Sequence, residues 1–226
     1  MASMPAKVAK PKNKEERKQR LSKILRRLNI DYPDVECALN HKSAWELLAA
    51  TILSAQCTDV RVNIVTPALF ERFRTVDEMA AAPVQEIEEL VKTTGFFRNK
   101  AKSIKGAAQR IVSEYGGEVP SKIDELLTLP GVARKTANVV MGSWFGKASG
   151  VVVDTHVQRI SMRLDLTKQT DPKKIEQDLI AVLPKTRWIL YSHQIIHHGR
   201  QVCIARRPRC AECRLNDLCY AEDKVG

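Results

Sequence analysis

Cys203, Cys210, Cys213 and Cys219 lie in one short segment with the spacing C-x6-C-x2-C-x5-C. Four thiolates this close in sequence can converge on one metal centre, an iron–sulfur cluster or a tetrahedral zinc. The N-terminus shows no apolar signal-peptide core, so a disulfide knot of the kind found in exported proteins is not expected. The two remaining cysteines, Cys37 and Cys57, sit among apolar neighbours and are expected to pack in the core.

A second chemistry is written around Lys135. The segment Leu129-Pro130-Gly131-Val132-Ala133 runs directly into Arg134-Lys135-Thr136-Ala137. Pro130 stops a preceding helix and Gly131 permits a tight turn, so the next helix opens at the end of a short hairpin. Backbone N–H groups at a helix N-terminus favour an anion, and a DNA phosphate suits so basic a chain. A plain helical turn with a Pro-Gly corner is the alternative. Lys135 falls in the first turn, on the face away from Ala137, Val140, Met141, Trp144 and Phe145. The helix dipole and Arg134 disfavour its ammonium form, and a neutral lysine amine is a nucleophile.

Asp154 follows Val151-Val152-Val153 and opens a helix over 155–164. As an N-cap, its carboxylate accepts backbone N–H bonds and stays ionised. A helix of about 12 residues after the hairpin is roughly 18 Å long. A return segment of about 8 residues spans roughly 26 Å when extended. The chain can therefore bring Asp154 back to Lys135, although a purely structural cap would satisfy the same pattern.

These residues need helices to hold them, and the apolar pattern supplies them. Ala44, Trp45, Leu47, Leu48, Ile52 and Leu53 give one broad apolar face over 44–57. Further helices fit 60–73, 84–94, 99–114, 174–183 and 187–198, punctuated by Pro83, Gly95 and Gly116-Gly117. Ser121 is expected to cap a helix carrying Ile123, Leu126 and Leu127 as an apolar stripe. Only 151–153 looks strand-like, so the fold class is all-α.

Composition agrees with a DNA partner. Lys and Arg number 37 against 26 Asp and Glu, a formal charge of +11 over 226 residues. That balance favours a polyanion. Aromatic residues are only 5%, too few for a single-strand stacking platform. No apolar run approaches the length of a membrane span, so no membrane partner is expected. Residues 1–14, with Lys7, Lys10, Lys12 and Lys14, read as a disordered basic tail.

Taken in order, Leu-Pro-Gly-Val-Ala-Arg-Lys135-Thr-Ala, Val-Asp154-Thr-His156 and the four cysteines resemble endonuclease III, the iron–sulfur type of helix–hairpin–helix DNA glycosylase. Leu53-Ser-Ala-Gln56-Cys-Thr-Asp59 and Gly95-Phe-Phe-Arg-Asn-Lys100-Ala carry the resemblance further, which runs from about Leu21 to Tyr220. It implies a two-lobed helical fold. Residues 15–36 would form an N-terminal helix packing with a cluster lobe at 150–226. Residues 37–149 would form a six-helix lobe containing the hairpin at about 121–145, with DNA across the cleft between lobes. A 4Fe–4S cluster would sit at 203–219, with zinc the lesser alternative.

The resemblance also implies the activity: removal of oxidised pyrimidines, then cleavage of the abasic strand by β-elimination. Lys135 matches the Schiff-base lysine and Asp154 the catalytic aspartate. Gln56 matches the residue that fills the space of the flipped nucleotide. Phe96 stands where a leucine often wedges into the duplex, and Ala133 where a second hairpin glycine is usual. Gly131, Ala133, Arg134, Thr155 and His156 are the other expected DNA contacts. The expected partner is double-stranded DNA with damaged bases or abasic sites, met by a monomer in the cytoplasm of a bacterium, at the nucleoid.

Two other functions fit parts of the pattern. The adenine glycosylase acting opposite oxidised guanine shares the cysteine spacing, but lacks this lysine and has a further C-terminal domain. With seven residues after Cys219, the chain is not expected to carry one. A non-enzymatic, metal-stapled DNA-binding module would explain charge and cysteines, and leave Lys135 and Asp154 idle.

Overall fold

Reciprocal caps set several helix starts. Asn13 Oδ1 accepts from Glu16 N (2.9 Å) while Glu16 Oε2 accepts from Lys12 N (2.7 Å). Ser43 with Glu46, and Thr75 with Glu78, repeat the arrangement. In each, the cap side chain satisfies a first-turn amide, and the glutamate accepts from the amide one residue before the cap. The computed structural model describes residues 9–225. Among them the α-helices are α1 Lys14–Asp31, α2 Ala44–Leu53, α3 Asp59–Arg72, α4 Val76–Ala81, α5 Val84–Val91, α6 Phe97–Tyr115, α7 Ile123–Leu126, α8 Arg134–Ser143, α9 Thr155–Arg163, α10 Pro172–Val182 and α11 Trp188–Gln201. No strand occurs among the described residues, and the 151–153 run is extended but unpaired. No helix among them is long and apolar enough to cross a membrane.

The chain forms two compact units, one from Cys37 to Ser149, the other from the chain up to Glu36 together with Gly150 onward. The first holds α2–α8 around α6, which packs against α2, α4 and α5. Ala101, Ile104, Ala107, Ala108 and Ile111 give α6 its fully buried face, at helical spacing. Helix α2 is buried all round rather than on one face. It is also shorter than expected: it stops at Leu53, because Gln56 takes a left-handed φ of 50° that no α-helix continues. The six-residue α4 went unseen in the periodicity; it spans less than two turns, too little for a repeat to show. Cys37 and Cys57 pack against this unit's core.

The second unit packs α1, α9, α10 and α11 around Ile24, Leu28, Ile160, Ile175, Leu179, Tyr191 and Ile195. Of the expected tail, residues 1–8 lie outside the described residues. From Ala9 on the segment is held. Tyr220 OH donates to Ala9 O (3.1 Å), and Lys10 Nζ lies 3.6 Å from Asp165 Oδ2. Lys14 is already helical, behind the Asn13 cap.

Candidate functional site

The hairpin is built by close approach. Val132 N donates to Leu129 O (3.1 Å), and both side chains are buried, so the turn is anchored at each end. Gly131 between them has φ 76°, and a Cβ there would stand 2.6 Å from Ser103 Cβ on α6. Glycine is required both for the angle and for the contact. Ala133, the position lacking a second glycine, has φ −90° and ψ 172° as N-cap of α8. The methyl group is therefore accommodated without strain. Ala133 offers no side-chain cap to the first turn of α8.

Helix α8 buries Ala137, Asn138, Val140 and Met141, and Lys135 is exposed in its first turn. Arg134 beside it is half-buried. Three local expectations are corrected. The helix ends at Ser143, so Trp144 is its C-cap and is 42% exposed rather than part of the stripe. Ser121 caps nothing; its hydroxyl and carbonyl both accept from Lys147 Nζ (2.9 and 3.0 Å), and α7 starts after Lys122. Leu127 is exposed, leaving Leu126 as that segment's core anchor. Sequence reading missed Asn138, which is buried and accepts from Ser149 Oγ (2.9 Å), tying α8 to the chain that follows it.

Gln56 and Phe96 share an unusual backbone. Both are non-glycine residues with left-handed φ, 50° and 47°, and both are exposed, Phe96 to 66%. Such outliers persist only where surroundings impose them, and they cluster at functional surfaces. Phe96 is held from below. Gly95 has φ 70° and ψ 149°, and the buried Lys100 donates from Nζ to Thr94 O (2.6 Å). A bulky apolar ring thus stands free at the N-terminus of α6, a shape suited to wedging between base pairs.

Asp154 is the N-cap of α9. Its Oδ1 accepts from His156 N and Val157 N (both 2.8 Å), and its Oδ2 lies 2.9 Å from His156 Nδ1. Its side chain is 15% exposed. Thr155 is exposed. His156 is the surprise: its ring lies against Gly199 of α11, where a Cβ would come within 2.8 Å of Cδ2. An expected DNA contact thus also orients Asp154. Further along α9, Arg159 Nη2 donates to Cys203 O (2.9 Å) and Arg163 Nη1 to Cys203 Sγ (3.1 Å). Neither arginine stood out in the sequence; only the packing of α9 on the cysteine loop singles them out.

Cys203, Cys210, Cys213 and Cys219 are free thiols lining one hollow with Arg163, Pro208 and Asn216. Burial pushes the Cys213 thiol up to about 11 and the Cys219 thiol up as well. Four cysteines lining one hollow are the ligand set that an iron–sulfur cluster takes, although the described residues form no ready-made site for a single metal ion. Arg200, Arg206, Arg207 and Arg209 surround the segment in sequence and are exposed. His193 and His198 on α11 are pushed below the ordinary imidazole value by burial, His198 to about 4. Both face inward, and neither joins a metal-holding group among the described residues.

Comparison with known proteins matches this arrangement. The profile of the HhH-GPD superfamily base excision DNA repair proteins matches residues 49–185, and that of the iron–sulfur binding domain of endonuclease III matches residues 203–219. Endonuclease III of Synechocystis sp. is 57% identical over 203 residues, 90% of this chain and 93% of its own. Endonuclease III of Bacillus subtilis is 45% identical over 199 residues, 86% of this chain and 90% of its own. A solved structure of a trapped endonuclease III–DNA covalent intermediate superposes with a TM-score of 0.85 at 42% identity, covering 89% of this chain and 95% of that one. The chain belongs to the endonuclease III family of the HhH-GPD superfamily of base excision DNA repair proteins.

Proposed function

We propose that this protein is a bifunctional DNA glycosylase that excises oxidised pyrimidines and cleaves the resulting abasic strand. The observation that carries the reading is Lys135: an exposed amine in the first turn of α8, immediately after the hairpin, at a helix N-terminus of the kind that suits a phosphate. The relative solved in covalent linkage to DNA supports a nucleophilic mechanism.

The target nucleotide leaves the base stack, which costs least for a damaged base. Lys135 Nζ, as free amine, attacks C1′. The glycosidic bond breaks, and the base departs with the electron pair and takes up a proton. The sugar ring opens as O4′ leaves C1′ and gains a proton, giving an imine to Lys135. The imine acidifies the C2′ proton. Its loss sends electrons toward C3′ and expels the 3′ phosphate, and water then frees the lysine. Asp154 stabilises the positive charge developing at C1′ and exchanges the lysine proton. The proposed strand contacts are Gln56, Phe96, Arg134, Thr155, His156 and the amides at Gly131 and Ala133. The cluster held by Cys203, Cys210, Cys213 and Cys219 supplies no step of this scheme and shapes the surrounding basic loop.

Base excision of this kind belongs where chromosomal DNA is, so we place the protein in the bacterial cytoplasm at the nucleoid, in line with its bacterial relatives. A monomer suffices for the chemistry.

Borohydride reduces an imine to a stable amine and tests the reading directly. Wild type should be trapped covalently on duplex containing an oxidised pyrimidine. Lys135→Gln should lose trapping and keep lesion binding. An oxidised base is used because other amines condense with a preformed abasic site. Equal trapping by both proteins would refute the assignment; base release without trapping by wild type would favour a monofunctional glycosylase.

A further inference from the structure

One thiol of the cysteine loop faces a buried histidine. His198, on α11 and 2% exposed, places Nε2 3.5 Å from Cys213 Sγ and Nδ1 3.2 Å from Tyr32 OH. Tyr32 is buried too, at the end of α1. Its amide donates to Leu28 O (2.8 Å) and its carbonyl accepts from Gln194 Nε2 (2.9 Å). The two rings meet edge-on, with centroids 5.9 Å apart at 73°. The chain is thus Cys213–His198–Tyr32, with every member fixed by packing.

The chemistry of the ends decides the protons in the middle. A cysteine bound to iron is a thiolate and can only accept. His198 Nε2 must then carry hydrogen and donate to Sγ, because a bare ring nitrogen would face the sulfur lone pairs. A neutral imidazole with Nε2–H has an unprotonated Nδ1, which needs a donor. Tyr32 O–H supplies it.

We infer that Tyr32 fixes the tautomer of His198 so that Nε2–H donates to the Cys213 thiolate, and that this pair sets the reduction potential of the bound cluster. Hydrogen bonds to cluster sulfurs draw charge from the ligand and favour the more reduced state. Cys203 receives a comparable bond from the charged Arg163 (3.1 Å), so two of the four ligands carry side-chain donors. Tyr32 and His198 are positioning residues; neither touches DNA chemistry in the scheme above. The inference rests on the four cysteines being the cluster ligands, and iron content with visible absorption reports that assignment separately.

The experiment is voltammetry of the cluster-loaded full-length protein, comparing wild type with Tyr32→Phe, His198→Leu and His198→Gln, each checked for iron content. Tyr32→Phe removes one hydroxyl and keeps the ring packing, so it should load normally. The expected result is a lower midpoint potential in Tyr32→Phe and a lower one still in His198→Leu. His198→Gln, which keeps an N–H donor, should recover part of the shift. Should His198→Leu fail to load, Tyr32→Phe still decides. An unchanged potential in fully loaded Tyr32→Phe, and in His198→Leu where it loads, would overturn the inference. Loss of iron from Cys213→Ser combined with those unchanged potentials would leave the ligand assignment standing and remove only the tuning role.

Discussion

Asp154 Oδ2 and His156 Nδ1 stand 2.9 Å apart, two residues from one another on the same helix start, while Asp154 Oδ1 takes the backbone amides of His156 and Val157. The carboxylate therefore has both oxygens engaged by its own helix. Its orientation is set before any substrate arrives, a condition for electrostatic work in a transition state.

Asp154→Asn should keep the fold, because asparagine also caps helices well. Base removal should slow by roughly 10²–10⁴, the range for losing a positioned acid–base group. Single-turnover excision on an oxidised pyrimidine, with duplex binding measured alongside, checks this. A folded variant with wild-type excision would leave Asp154 only a structural cap.

Cys213→Ser should lower iron content and melt the C-terminal loop, since ligation and local folding are coupled. DNA binding should weaken as a consequence, through disorder of the arginines around 206–209. Iron analysis and visible absorption provide the readout. Stoichiometric iron in the variant would remove Cys213 from the ligand set.

Gly131→Ala adds a methyl group to a residue at φ 76° and drives it to 2.6 Å from Ser103 Cβ. Backbone strain alone is of order 1–3 kcal/mol. The variant should melt at a lower temperature and bind duplex more weakly. Ser103→Gly in the same background removes the clashing atom and should restore part of the stability. Identical melting of Gly131→Ala and wild type would argue against the hairpin geometry.

Lys100→Met removes a buried amine that donates to Thr94 O, one residue before Gly95. Leaving that carbonyl without its donor costs about 1–3 kcal/mol. Because the turn presents Phe96, we expect lesion affinity to fall along with stability, while Lys135 still traps at saturating DNA. Stability and affinity both at wild-type levels would show that Lys100 does not hold the turn.

Affinity for undamaged duplex should drop steeply with salt. The formal charge of +11 and the hairpin at the N-terminus of α8 point to phosphate contacts, and each phosphate neutralised releases counterions and adds to the slope. Titrations at several salt concentrations give that slope. A flat dependence would count against phosphate-dominated binding.

Much of this was legible in the chain itself. Spacing alone marked the four cysteines, because thiolates within one loop need no long-range fold to approach a common centre. Gly131 and Pro130 announced the hairpin, because each restricts its own backbone whatever surrounds it. Asp154 read as an N-cap for the same local reason, and the structure places it there. Other features depend on neighbours distant in sequence. Ser121 has the chemistry of a cap, yet Lys147, 26 residues away, takes its oxygen atoms. Gln56 and Phe96 have side chains that signal nothing about φ; their left-handed backbone comes from the turns that end α2 and start α6. His156 looked like a contact for DNA; its ring nitrogen lies 2.9 Å from Asp154 Oδ2, and α11 packs against the ring at Gly199. Arg163 was unremarkable in the chain and gained its meaning from a cysteine 40 residues away. The thiol that the His198 ring faces is 15 residues on, and only the fold brings it there. Local rules decide where helices start and where the backbone turns; which side chain faces a buried thiol is decided by packing, since burial requires each polar group to find a partner wherever the fold brings one.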